Sequence, residues 1–279
     1  MLQNRCDVHT HTVASRHAYS TVEENVRAAA ERGVDLLGST DHFSCMTSRG
    51  VELDGTGADI RDYQSFLDLL IWPREWHGVT LLRGAEADIV DIQGRLFGHD
   101  VPAPDKISGD PYSECLDLEH RVLADTDYAI ASVHVTTFCK DATRAQNTQM
   151  YVNALQNPKV LIIGHPGRLD IDFEIDPVVE AARDLGKLIE INNSTVDGFP
   201  KRVGRCRQIA QRCAELGCSV AVSTDAHISS QVGRFDCALS MLEQIDFPHE
   251  LIATRSREAF LGALRGANIV PSRRNPLVF

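Results

Sequence analysis

The stretch Val160-Leu161-Ile162-Ile163-Gly164-His165-Pro166-Gly167 joins four consecutive apolar residues to a tight turn that carries a histidine. A short all-apolar run closed by Gly and Pro suits a strand buried on both faces, and such strands belong to parallel sheets covered by helices. Val220-Ala221-Val222 repeats the pattern. Working outward, strands are expected at 6–11, 35–40, 79–88, 128–134, 160–165, 187–192 and 219–224. Helical patterns fall at 21–32, 60–76, 146–156, 177–185, 203–216, 232–245 and 256–265. Asp176-Pro177 reads as a helix start, and Gly33, Gly186 and Gly217 each follow a helical run, where a left-handed residue ends it. Successive βα units predict an α/β fold, a TIM-like (β/α)7 barrel. An open flavodoxin-like sheet would call for a Gly-rich phosphate loop after the first strand, and none is there. No repeat, linker or low-complexity tract divides the chain, so 1–279 is expected to be a single domain, with 93–110 a long surface loop.

The chain has 279 residues and a formal net charge of −11, with 43% hydrophobic and 24% charged residues. These values suit a water-soluble globular protein and argue against a nucleic-acid surface as the main business. No apolar run approaches the roughly 20 residues of a membrane span, and the first residues show no signal-peptide core. A cytoplasmic location is expected. The eight cysteines form no CxxC pair and read as thiols in a reducing compartment.

The histidines are placed differently. The first strand reads Cys6-Asp7-Val8-His9-Thr10-His11, and residues two apart on a strand share a face, so Asp7, His9 and His11 are expected on one side. Later strands run into Thr40-Asp41-His42, His134, Gly164-His165 and Asp225-Ala226-His227, while the third carries Arg83-Gly84-Ala85-Glu86. Barrel enzymes build their sites at the carboxyl ends of the strands. His17, in the loop after the first strand, can reach the same mouth. His77, His99, His120 and His249 lack such a context. Neighbouring buried imidazoles repel when protonated, and a metal ion resolves this by taking their neutral lone pairs.

Together these residues resemble the PHP (polymerase and histidinol phosphatase) family of metal-dependent phosphoesterases, in particular its small stand-alone bacterial YcdX-type branch. The matching stretches are Asp7-Val-His9-Thr-His11-Thr-Val-Ala-Ser-Arg-His17-Ala-Tyr-Ser, Thr40-Asp41-His42, Arg83-Gly-Ala-Glu86-Ala, His134, Asn147-Thr-Gln, His165-Pro-Gly, Glu190-Ile-Asn-Asn-Ser194 and Asp225-Ala-His227, in order along nearly the whole chain. The resemblance implies a distorted seven-stranded barrel and a trinuclear metal site whose nine ligand positions are all filled. By motif, His9, His11, Glu86 and Asp225 correspond to the ligands of one ion. Glu86 bridges to a second, completed by His134 and His165, and His17, His42 and His227 correspond to those of the third. Arg16, Arg144 and the 93–110 loop are where this chain varies from relatives, which bears on substrate choice.

A cluster of three divalent ions is a strong trap for a phosphate dianion even in an acidic protein. The expected reaction is hydrolysis of a small phosphomonoester by a metal-bound hydroxide, since three ions match three terminal oxygens. Asp41 is expected to orient a ligand or carry a proton to the leaving group, and Asp7 to support a ligand histidine. Arg16 and Arg144 are the candidate phosphate contacts, and Asn192 and Asn193 could bond substrate or orient ligands. The N/O donor set suits Zn, Mn or Fe, with Zn the first choice. The expected partner is a small phosphorylated substrate rather than a membrane or nucleic acid, and association with further copies of the chain stays open. Two alternatives use similar residues. An amidohydrolase-type site would want a lysine at a strand end for its bridging carbamate, and a PHP-type nuclease or phosphodiesterase would want a basic stripe. Neither is present.

Overall fold

The computed structural model describes residues 2–67 and 69–269. Seven parallel strands run in sheet order from β1 to β7: β1 (Cys6–Thr10), β2 (Leu36–Ser39), β3 (Val79–Asp88), β4 (Tyr128–Ser132), β5 (Val160–Ile163), β6 (Leu188–Asn192) and β7 (Val220–Ser223). The ten-residue β3 pairs with β2 along its first half and with β4 along its second. The ring is nearly closed where β1 meets β7: His11 N–H donates to Ala226 O (2.8 Å) and Asp225 N–H donates to His9 O (2.8 Å). This is the TIM-like barrel expected from the alternation of apolar runs and helical patterns, distorted as the family resemblance implies.

Eight α-helices lie among the described residues: α1 (Val22–Glu31), α2 (Leu118–Leu123), α3 (Arg144–Ala154), α4 (Ile175–Asp184), α5 (Asn193–Gly198), α6 (Val203–Leu216), α7 (Asp236–Glu243) and α8 (Arg257–Gly266). Capping boxes Thr21/Glu24 and Thr143/Gln146 begin α1 and α3. Three expected elements need correction. The described residues of 60–76 form no α-helix but two 3-10 segments and a short strand, Glu75–Trp76, antiparallel to β3. Pro73 lacks the N–H that would continue a helix, and a residue before proline, here Trp72, is disfavoured in the helical region. His77-Gly78, both at positive φ, then turn the chain into β3. The start of α4 is Glu174, and Asp176, instead of capping it, forms a two-pronged pair with Arg212 (2.6 and 2.8 Å). The 93–110 segment is not merely a surface loop. It is pinned by the bridges Ile89↔Leu96 and Pro102↔Asp117, and its Phe97 is buried edge-on against Phe43 at 5.0 Å. The short helices α2 and α5 carry too few turns to show a periodic pattern.

The barrel interior is layered. At its lower end Val8, Leu36, Leu82, Tyr128, Leu161, Leu188 and Ala221, one from each strand, pack with Phe260 and Leu264 of α8, which closes the bottom. The register slips between Asp7 and Thr10, a bulge. Below it Cys6 and Val8 join the interior cluster and Asp7 turns away, accepting from Thr224 N–H (3.1 Å) and Gly233 N–H (2.9 Å). Above it His9 and His11 point inward. The expected common face of Asp7, His9 and His11 is therefore corrected, because the bulge breaks the two-residue period. No helix among the described residues is long and apolar enough to cross a membrane.

Tyr128 spans this interior and donates to Val8 O at 2.5 Å. It sits over two glycines. A Cβ at Gly38 would collide with the Tyr128 hydroxyl, and one at Gly84 with Thr40. Gly38→Ala is expected to destabilise the fold by about 1–3 kcal/mol, as overpacking does. Tyr128→Phe removes the colliding oxygen, so the double variant should cost less than the sum of the two single changes in denaturant titrations. Simple additivity would show that the two residues do not compete for this space.

Candidate metal centre

Each polar side chain at the top of the barrel is placed by a strand end. His42 begins a two-residue strand paired with Glu86 of β3. His134 follows β4, His165 follows β5, and Asp225 and His227 follow β7. His165 (φ 26°) and Asp225 (φ 55°) both adopt left-handed backbone, a conformation that costs of order 1–3 kcal/mol where it is strained and that gathers at functional sites. His17 lies beyond the 3-10 turn Val13–Ser15, which ends at a left-handed Arg16.

These side chains converge on Glu86, which is fully buried. Its carboxylate lies 2.9 Å from His165 Nε2, 3.2 Å from His9 Nε2, 3.4 Å from His134 Nε2, 3.5 Å from His11 Nε2 and 2.8 Å from His42 Nδ1. Asp225 Oδ1 is 3.0 Å from His11 Nε2 and 3.6 Å from His9 Nε2. At the rim, His17 Nε2 is 3.2 Å from His42 Nε2 and 3.0 Å from His227 Nε2. Three groups have donor atoms close enough to share one ion: His9, His11, Glu86 and Asp225; His42, Glu86 and His134; and His11, His42 and His227. The first is the set expected from sequence. The other two bring His42 and His11 where His165 and His17 were expected.

His9 Nε2, His11 Nε2, His42 Nδ1 and Glu86 Oε2 are buried without a hydrogen-bond partner. Buried polar atoms are normally paired, and four orphans facing one another mark a place where a cation belongs. The residues fit divalent metal ions.

Hydrogen bonds fix which nitrogen of each ring faces inward. Ser15 Oγ donates to Asp41 Oδ1 (2.6 Å), so its lone pairs accept from His11 Nδ1 (3.0 Å) and from His42 N–H (3.0 Å). That leaves His11 Nε2 as a bare lone pair. Glu190 accepts from His9 Nδ1 (2.7 Å) and Asp88 from His134 Nδ1 (2.7 Å). Such carboxylate–imidazole pairs orient a metal-binding ring and raise its basicity. Electrostatics agree. Burial lowers the pKa of His9, but Glu86, Glu190 and Asp225 outweigh it and hold it well above the usual range. Burial also opposes the shift at His134, which Glu86 and Asp88 raise to about 9. Burial dominates at His11 and His165 and keeps them neutral. At Glu86 burial raises the pKa, yet His9, His134 and His42 draw it well below the ordinary carboxylate value.

The expected non-ligand residues fare less uniformly. Asp41 touches no cluster histidine. Its oxygens accept from Thr12 N–H (2.7 Å), Thr12 Oγ1 (2.8 Å) and Ser15, so it reaches His11 through Ser15. Asp7 supports Thr224 and Gly233, not a histidine. Arg16 is exposed and paired with Asp62 at 3.1 Å. Arg144 lies with Glu174, Asp176 and Arg212 along an outer groove between α3, α4 and α6, 3.5 Å from Asp172. Asn192 Oδ1 accepts from Thr195 N–H (2.9 Å) and Asn193 Oδ1 from Ala238 N–H (2.9 Å), so both hold backbone.

Three residues have a place at the site to which the sequence assigns no role; one of them, Glu190, stands in a matching stretch. Asp88 shares the face of Glu86 two residues on, and Glu190 lies inward on β6; strand parity could have found both. Arg168 carries no such signal. Its largely buried guanidinium donates to Asp225 Oδ2 (2.5 Å), Asn192 Oδ1 (2.9 Å) and Thr195 Oγ1 (2.9 Å). It fixes the outer oxygen of Asp225 and leaves the other facing the histidines.

Comparison with known proteins adds the following. The model of the PHP domain family matches residues 7–197. The chain is 40% identical over 253 residues to a probable phosphatase of Caldanaerobacter subterraneus subsp. tengcongensis, covering 90% of this chain and 87% of that protein. It is 34% identical to a probable phosphatase of Photobacterium profundum, covering 94% of each. Its fold is similar to that of histidinol phosphate phosphatase from Lactococcus lactis, crystallised with zinc, L-histidinol and phosphate: TM-score 0.53, 16% identity, 88% of this chain and 95% of that one.

Because His134 stays protonated up to about pH 9 in metal-free protein, ion uptake near pH 7.5 must displace protons, and apparent affinity should rise with pH up to that value. Calorimetric titration with Zn²⁺ in buffers of different ionisation enthalpy is expected to read about two protons released per chain, from His9 and His134. Asp88→Asn should weaken metal binding by about 10–100-fold. Uptake without proton release would remove both histidines from the ligand set.

Proposed function

The chain belongs to the PHP domain family, and from that premise we propose that it is a metal-dependent phosphatase that hydrolyses a small phosphomonoester at a trinuclear site. The observation that carries this reading is the set of buried, unpartnered lone pairs around Glu86. His9, His11, Glu86 and Asp225 would hold one ion, Glu86 with His134 and His165 a second, and His17, His42 and His227 the third. Zn is favoured by the nitrogen-rich donor set, with Mn or Fe as alternatives. Bound divalent ions supply a hydroxide nucleophile near neutral pH and neutralise phosphate charge.

The chain's own residues prepare that chemistry. Glu86 is buried; its Oε2 has no hydrogen-bond partner, and its Oε1, which accepts from Ser132 Oγ at 2.7 Å, keeps a second lone pair for a cation. Glu190, Asp88 and the Asp41–Ser15 pair hold three imidazoles in fixed tautomers, which spares reorganisation during the reaction. Arg168 keeps Asp225 from turning. In the reaction the ester P–O bond breaks, a water oxygen forms the new one, and the leaving alkoxide takes up a proton. Three terminal oxygens suit three ions, which favours monoesters over diesters. The amidohydrolase alternative loses its lysine: Lys187 precedes β6 and donates to Leu155 O and Asn157 O, away from the cluster. Eight free cysteines, five of them buried, accord with the reducing cytoplasm.

Chelation is expected to abolish phosphatase activity, and Zn²⁺ or Mn²⁺ to restore it. p-Nitrophenyl phosphate should be turned over faster than bis-p-nitrophenyl phosphate. Full activity in metal-free protein would contradict the metal-dependent reading. Faster diester cleavage would move it to a phosphodiesterase.

A further inference from the structure

Among the described residues seven large apolar side chains are exposed, and three of these, Val13, Tyr19 and Ile228, lie in the connections that leave the carboxyl ends of β1 and β7. Those two strands meet where the barrel closes. The three therefore lie on one arc of the mouth. The other four, Met46, Ile71, Ile107 and Phe199, lie in the connections after β2, β3 and β6.

The arc is tied to the candidate ligands. Tyr19, 77% exposed, donates its backbone N–H to His227 O at 2.8 Å and lies two residues after His17. Ile228 follows His227 directly, and the next residue, Ser229, donates its N–H to Ser20 Oγ at 2.8 Å. Val13 N–H donates to Ser20 O at 2.9 Å. Val13, Tyr19 and Ile228 thus stand beside the His17–His227 pair. Arg16, in the same loop as Val13 and Tyr19, is paired with Asp62.

An exposed apolar cluster joined to a polar site marks a place where something binds. We infer that this arc receives the leaving group, and that the substrate class is phosphomonoesters of alcohols or phenols with an extended apolar body. This rests on the phosphatase reading above.

The test compares n-hexyl phosphate with glycerol 3-phosphate, both esters of primary alcohols, on the zinc-loaded full chain. The kcat/KM ratio of hexyl to glycerol ester is expected to be at least about tenfold, the lower end of what apolar contacts discriminate. In Tyr19→Ser/Ile228→Ser it should fall towards one. Both positions are surface, and a melting curve checks the fold of the variant. A wild-type ratio near one, or a ratio that the double variant leaves unmoved, overturns the inference while the phosphatase reading stands. Turnover of neither ester removes the phosphatase reading and the inference with it.

Discussion

A carboxylate without solvent contact, Glu86, faces five imidazoles, and the top of the barrel is arranged around that fact. An isolated buried carboxylate carries a desolvation penalty of several kcal/mol, and attraction to nearby positive charge is what offsets it. The cluster answers with two histidines held cationic in the metal-free state, His9 and His134, each backed by a second carboxylate. The result is a dense set of charges and lone pairs that metal ions can neutralise more completely than protons can. The orphaned nitrogens are the mark of that mismatch.

The rest of the fold serves this placement. The apolar lower layer, closed by Phe260 and Leu264, keeps the strands in register beneath the polar one. Tyr128 crosses the interior on two glycines, a close approach that larger residues would block. The bulge in β1 turns two histidines inward without disturbing the strand below. Left-handed backbone at His165 and Asp225 aims two more donors from strand ends. Strain of this kind persists only where the surroundings hold it, and here Glu190 accepts the His165 N–H at 2.6 Å while Arg168 grips Asp225.

Much of this was legible in the sequence, for a physical reason. Strands buried on both faces must be apolar throughout, so Val160–Ile163 and Val220–Ser223 announce themselves. Histidines at their ends inherit the strand's direction. What was hidden depends on local departures from regular period. The bulge between Asp7 and Thr10 is silent in composition, and it sends Asp7 to Thr224 instead of to a histidine. Residues 60–76 hold an apolar period compatible with a helix, but Pro73 and the His77-Gly78 turn override it. Arg168 reaches Asp225 from a loop, where no period operates. Arg16 and Arg144 matched the chemistry of a phosphate contact, yet each is drawn to an acidic neighbour on the surface.

The central claim is that Glu86 is shared by cations rather than merely buried among histidines. Metal content per chain of Glu86→Gln, measured by elemental analysis beside a melting curve and a monoester assay, tests it most directly. Gln keeps the volume and removes the charge with one of the two good donor oxygens. The account predicts a folded variant that has lost at least one metal equivalent and nearly all activity. Unchanged metal content with near-normal turnover would contradict it and leave Glu86 a structural residue.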